Sequence, residues 1–109
     1  MRRLSRVFDR AWAQAIMREA AELQANRADK MGEAAVRRVE LLQLRFHDGL
    51  PIRDIAERWQ ADPVHVHREY SKARQEFRQC LLEVMRFYHP DSDVEAEREA
   101  TSLLGLLAD

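Results

Sequence analysis

Between Asp62-Pro63 and Pro90 the apolar residues Val66, Tyr70, Ala73, Phe77, Leu81, Val84 and Tyr88 follow one another at steps of three and four. That spacing gathers them on one stripe of an α-helix. Both ends of the helix are marked: Asp62 offers a capping oxygen, Pro63 fits the first helical position, and Pro90 cannot continue the hydrogen-bond ladder. About 25 residues at 1.5 Å each span roughly 38 Å. A stripe of that length exceeds what a three-helix core covers, so additional helices must pack along it.

The remaining segments supply them. Phe8, Trp12, Ile16, Ala20 and Leu23 predict a first helix from Ser5 to Asn26, after which the polar stretch NRADKMGE breaks the pattern. Val36, Val39, Leu42 and Phe46 predict a second helix from Glu33 to His47, with Gly49 placed for a left-handed C-terminal cap. Pro51 fits the first position of a two-turn third helix whose buried stripe is Ile52, Ile55, Ala56 and Trp59. Past Pro90, Ser92 with Glu95 three residues on reads as a cap, and Ala100, Leu103, Leu104 and Leu107 form an apolar face. That face must dock on the overhanging end of the fourth helix (Leu81, Val84, Tyr88) or on another chain.

At 109 residues the chain is one domain's worth by length, and 3 Gly, 3 Pro and 34% charged residues suit a helical domain rather than a sandwich or a disordered tail. No apolar run reaches the length that spans a bilayer, and the basic N-terminus lacks a continuous apolar region after it, so a cytoplasmic protein with no membrane association is expected. The single cysteine, Cys80, sits on the apolar stripe, where burial rather than reactivity is expected. Net charge is −1, but residues 90–109 hold six acids and one base, leaving residues 1–89 at +4. A modestly basic body of the kind phosphate contact requires therefore carries an acidic C-terminal helix.

Two helices joined by a short turn, the first short and the second basic, have the layout of a helix-turn-helix, against the simpler alternative of an ordinary helical hairpin. Ala56 allows close approach, Trp59 and Ala61 bracket the turn, and Val66 points back into the core. Opposite the stripe, at about 100° per residue, Val64, His65, Arg68, Ser71, Lys72 and Gln75 face outward. Arginine can pair with guanine in the major groove, and lysine, serine and histidine can donate to phosphates or base edges. Arg53 on the preceding helix is a candidate phosphate clamp, with Arg74 and Arg78 as flanking contacts. The candidate DNA-binding set is Arg53, His65, His67, Arg68, Ser71, Lys72, Arg74 and Arg78; taken singly, each charge also fits a solvated face.

The stretch LLQLRFHDGLPIRDIAERWQADPVHVHREYSKARQEFRQCLLE resembles region 4 of sigma-70-type transcription initiation factors, particularly the extracytoplasmic-function group, in which a pattern of the form LLxLRxxxGLSxxEIAExLGxSxxTVxxRLxRARxxLR recurs. VFDRAWAQAIM is similar to the lead-in to that region, extending the resemblance over most of residues 1–89. Leu41, Leu42 and Leu44 match the core of the preceding helix, Gly49-Leu50 its stop, Ile55-Ala56-Glu57 the first helix of the motif, and Val66 with Lys72-Ala73-Arg74 the reading helix. The resemblance implies an all-α fold, a three-to-four-helix core of the winged-helix-like DNA-binding superfamily type plus a C-terminal helix. It also implies that the reading helix enters the major groove of the upstream promoter element while the domain docks on the beta flap of RNA polymerase core. Pro51 stands where the pattern has Ser, Gln60 where it has Gly, and Glu69 where it commonly has Arg. Nothing resembles region 2, so the chain alone is not expected to initiate transcription.

His65 and His67, two apart on a helix, point about 200° from each other and do not close on one ion. With no HExxH, phosphate loop, nucleophile elbow or cysteine cluster, neither an enzyme nor a cofactor is expected. The leading expectation is a promoter-binding domain. The alternative is a protein-interaction module of the same fold that binds RNA polymerase or an anti-sigma factor. The acidic C-terminal helix is expected either to lower DNA access or simply to complete the core or a dimer interface.

Overall fold

The computed structural model describes residues 6–105, with side chains from residue 10 onward. Ser5, the Phe8 side chain, Leu107 and Asp109, which the sequence assigns to a helix start, a stripe, an apolar face and the acidic tail, lie outside that description. The described chain is helical throughout and contains no strand: α1 (Arg6–Met31), α2 (Glu33–Leu42) running into a π-helical segment (Gln43–His47), α3 (Ile52–Trp59), α4 (Pro63–Tyr88) and α5 (Asp93–Leu104). No helix among the described residues is long and apolar enough to cross a membrane. The chain divides into two compact units, Gln24–Phe77, and the flanking stretches up to Leu23 and from Arg78 onward.

In the central unit, α1 runs well past Asn26 to Met31. The break comes at Gly32, whose φ of 119° and ψ of −179° belong to a region that glycine alone occupies readily. Its N–H donates to the Ala28 carbonyl and its carbonyl accepts from the Val36 N–H, both at 3.1 Å, so one residue separates two helices. The longer α1 buries Gln24 and Ala28, and the Gln24 amide donates to the Ala73 carbonyl of α4 at 3.2 Å. A polar residue therefore continues the stripe that seemed to end at Leu23.

α2 turns a different face inward from the one its valines suggest. Val36 is 44% exposed and Val39 half-buried, while Ala35, Leu41 and Leu42 are buried. The inward line passes through Ala35, Arg38 and Leu42, with Arg38 satisfied by carboxylates of α4 (below). The second helix also ends as a π segment. Its wider turns, closed by an i→i+5 bond from the Asp48 N–H to the Gln43 carbonyl at 3.0 Å, change the angular spacing, so Leu44 is buried and Phe46 stays half-buried against the Tyr70 ring (centroids 6.1 Å apart). Gly49, at φ 74°, is in the left-handed conformation expected of it, and the Leu50 N–H returns to the Leu44 carbonyl at 2.9 Å.

Pro51 caps α3 rather than entering it. It is extended at ψ 154° and its carbonyl accepts from the Asp54 and Ile55 N–H groups. Ile52, Ile55 and Ala56 are buried, and the half-buried Trp59 carries the Arg37 guanidinium 4.1 Å above its ring. Asp62 performs the capping predicted for it: its Oδ1 accepts from the Val64 N–H at 3.0 Å.

The second unit holds Ile16, Ala20, Leu81, Val84, Met85, Ala96, Ala100 and Leu103 as buried apolar residues, with Cys80 buried as expected. α5 is capped by Ser92, whose Oγ accepts from the Glu95 N–H at 3.1 Å. The His89 ring and Glu99 meet at 3.1 Å, and Arg86 and Asp93 at 3.8 Å, joining the end of α4 to α5. Tyr88, placed on the apolar stripe by its spacing, is exposed instead. Its hydroxyl is 3.4 Å from both carboxylate oxygens of Glu19, a polar partner that keeps the tip of the ring at the surface.

Candidate nucleic-acid interface

The turn between α3 and α4 determines how α4 is presented. Gln60 adopts φ 52°, ψ 47°, the left-handed conformation, and the Ala61 N–H bonds back to the Ala56 carbonyl at 2.9 Å. A side chain with a Cβ is strained there, by an amount on the order of 1 kcal/mol. Gln60→Gly is therefore expected to raise stability by about 1 kcal/mol, partly offset by the greater freedom glycine gives the unfolded chain. Urea denaturation checks the sign, and a loss of stability would mean that the Gln60 side chain makes a compensating contact.

Beyond the turn, the outward positions of α4 are open to solvent as the stripe implies: Val64, His65, His67, Arg68, Ser71, Lys72 and Gln75 are all exposed, as is Arg53 on α3. Among the described residues neither Arg53 nor Arg68 is engaged in an ion pair. Arg74 is half-buried with its guanidinium 5.8 Å from the Tyr70 ring centroid. Arg78 is half-buried and belongs to the other unit. The exposed candidates thus cluster on the first half of α4 and on α3, whereas Arg74 and Arg78 are partly engaged in packing.

Sequence reasoning missed the group that governs this surface. Arg38, 12% exposed at its side chain, reaches α4 and forks onto Glu76, with Nε 3.1 Å from both oxygens and Nη2 2.7 Å from Oε2. Its Nη1 donates to Glu69 Oε1 at 3.1 Å, and the other Glu69 oxygen lies 3.6 Å from the Lys72 ammonium. Burial by itself would raise the Glu69 pKa. The Arg38 hydrogen bond and the positive field of Lys72, Arg38 and His65 outweigh it and hold the carboxyl below its ordinary value. The Glu76 hydrogen bond, opposed by burial and aided by Glu69, raises Arg38 above the ordinary arginine value. Glu69 is therefore ionised but internally neutralised, which reduces the repulsion for phosphate that its charge would otherwise exert. The only sequence signal for this was the seven-residue separation of Glu69 and Glu76, which puts two acids on one side of a basic helix.

No protein family, characterised protein or solved structure matches the chain.

Proposed function

We propose that the chain is the promoter-binding domain of an extracytoplasmic-function sigma factor, with α3 and α4 as a helix-turn-helix and α4 as the helix that enters the major groove of the upstream promoter element within RNA polymerase. The carrying observation is the continuous exposed face Val64, His65, Arg68, Ser71, Lys72 and Gln75 directly after a capped, left-handed turn. Two departures from the sigma pattern become compatible with it. Gln60 is left-handed at the position where the pattern has Gly, and Pro51 is the N-cap where the pattern has Ser.

A second reading, a protein-interaction module for polymerase or an anti-sigma factor, is favoured by a groove in the same unit whose walls include Val36, Arg37, Leu41, Trp59, Ala61 and Val66. Binding to a promoter library across a salt series separates the two. Contact with about four phosphates predicts that log K falls with log salt at a slope of about −4, with one upstream element preferred. A flat salt response without sequence preference would transfer the function to the groove.

A further inference from the structure

The corner between α4 and α5 exposes an apolar patch. Phe87 is 78% exposed and Val94 68%, and the Tyr88 ring stands edge-on to Phe87 with centroids 5.4 Å apart. Single exposed apolar residues are ordinary on a surface, but Phe87 and Tyr88 at the end of α4 and Val94 at the start of α5, on either side of one turn, form a candidate contact. The Arg86–Asp93 pair at 3.8 Å draws the start of α5, next to Val94, to the last turn of α4. Among the described residues, two exposed acids without an ion pair lie near it in the chain, Asp91 in the turn and Glu97 on the same helix face as Val94, while Asp93 is paired with Arg86. The bases near them are already engaged, Arg86 with Asp93 and Arg98 with Glu95 at 3.4 Å.

The same chain carries the complement. Its α3–α4 face exposes Arg53, Arg58, Arg68 and Lys72, the last 3.6 Å from a Glu69 already neutralised by Arg38, beside a Val64 that is 60% exposed, against the acids Asp54, Glu57 and Asp62. We infer that the acidic, Phe87-centred corner of one copy docks on the basic α3–α4 face of a second copy. The two surfaces differ, so the contact is heterologous and repeats from copy to copy. It also covers the face assigned above to DNA, so self-association and DNA binding exclude each other. Only that competition rests on the DNA reading; the association itself does not.

Sedimentation velocity of the full chain without DNA tests the contact. At low salt the sedimenting mass is expected to rise with concentration above the 12.8 kDa of one chain, and to return to it at high salt as the charge complementarity is screened. Phe87→Ser and the pair Asp91→Lys with Glu97→Lys change exposed side chains and should each weaken association about tenfold or more. Arg68→Glu with Lys72→Glu should do the same. In a mixture of the two charge-reversed proteins, the unaltered acidic corner of one meets the unaltered basic face of the other, and the two reversed surfaces also attract, so association should return between unlike copies. A chain that stays monomeric at every concentration overturns the inference. So does association that Phe87→Ser abolishes but the α4 reversals leave unchanged, since that outcome describes a corner-to-corner dimer. Self-association without promoter binding would retain this contact and remove the DNA reading alone.

Discussion

Arg38→Ala is expected to lower the unfolding free energy by about 2–3 kcal/mol, between the value of an exposed ion pair and that of a buried one. The size comes from what is left behind rather than from the pair itself. Glu69 and Glu76 would remain partly shielded from water with no cation between them, a like-charge arrangement seven residues apart on one helix. A fall of roughly 10 °C or more in Tm corresponds to that loss for a domain of this size. Lysine at position 38 should restore little of it, because a point charge cannot reproduce the fork onto Glu76 while also reaching Glu69.

The pH dependence provides a second check. The Glu69 pKa is lowered in the folded state, so its contribution to stability is present above the ordinary carboxylate value and is lost as pH falls through the lower folded value. The gap between wild type and Arg38→Ala should therefore be widest near neutrality and shrink below about pH 4. Denaturation midpoints measured from pH 7 to pH 3 follow that closing gap; a constant difference would mean that Arg38 acts by packing alone.

Arg68→Ala is expected to reduce promoter affinity roughly ten- to a hundredfold and to relax preference at one base pair, the pattern of a lost bidentate base contact. Arg53→Ala should weaken all sequences alike and make the salt slope shallower by about one, as a lost phosphate contact does. Anisotropy titrations of both variants on the preferred and a scrambled element distinguish the two roles. Unchanged affinity in both would end the assignment of this face to DNA. An intermediate expectation concerns Arg38 again: without it, Glu69 is no longer neutralised and Lys72 loses a positioned neighbour, so Arg38→Ala should weaken DNA binding in any fraction of the protein that remains folded.

Element boundaries set by local chemistry were legible in the sequence. Asp62, Ser92 and Gly49 act through their own side chain or backbone freedom within a few residues, and each has the role its position implies. Inward faces were legible only where they were apolar. Gln24 and Arg38 lie on inward lines because Ala73 and the pair Glu69 and Glu76 meet them from α4, partners 31 to 49 residues away. A pattern of hydrophobicity gives such residues to solvent, which ended α1 too early and turned α2 by one position toward Val36. The π segment escaped for a related reason, since a change in helical pitch leaves no mark in a count of threes and fours. On the candidate surface the exposed cations followed from helix geometry alone, whereas the neutralisation of Glu69 depended on a residue of another helix.

Gly32 has a consequence for the path of the chain. Alanine is among the strongest helix formers, and the residues around the junction, ADKMGEAAVRR, would otherwise propagate one uninterrupted helix. The end of α1 and the beginning of α2 thus compete with a single rod, and the vote against the rod is cast by one residue whose φ of 119° lies outside helical space. No neighbouring atom lies within 4 Å of where a Cβ would sit, so steric crowding does not enforce the choice. The break that lets Arg38 reach Glu69 and Glu76 is therefore encoded in backbone freedom at a single residue, and the methyl group of Gly32→Ala, strained at that φ, would shift the balance toward one continuous helix.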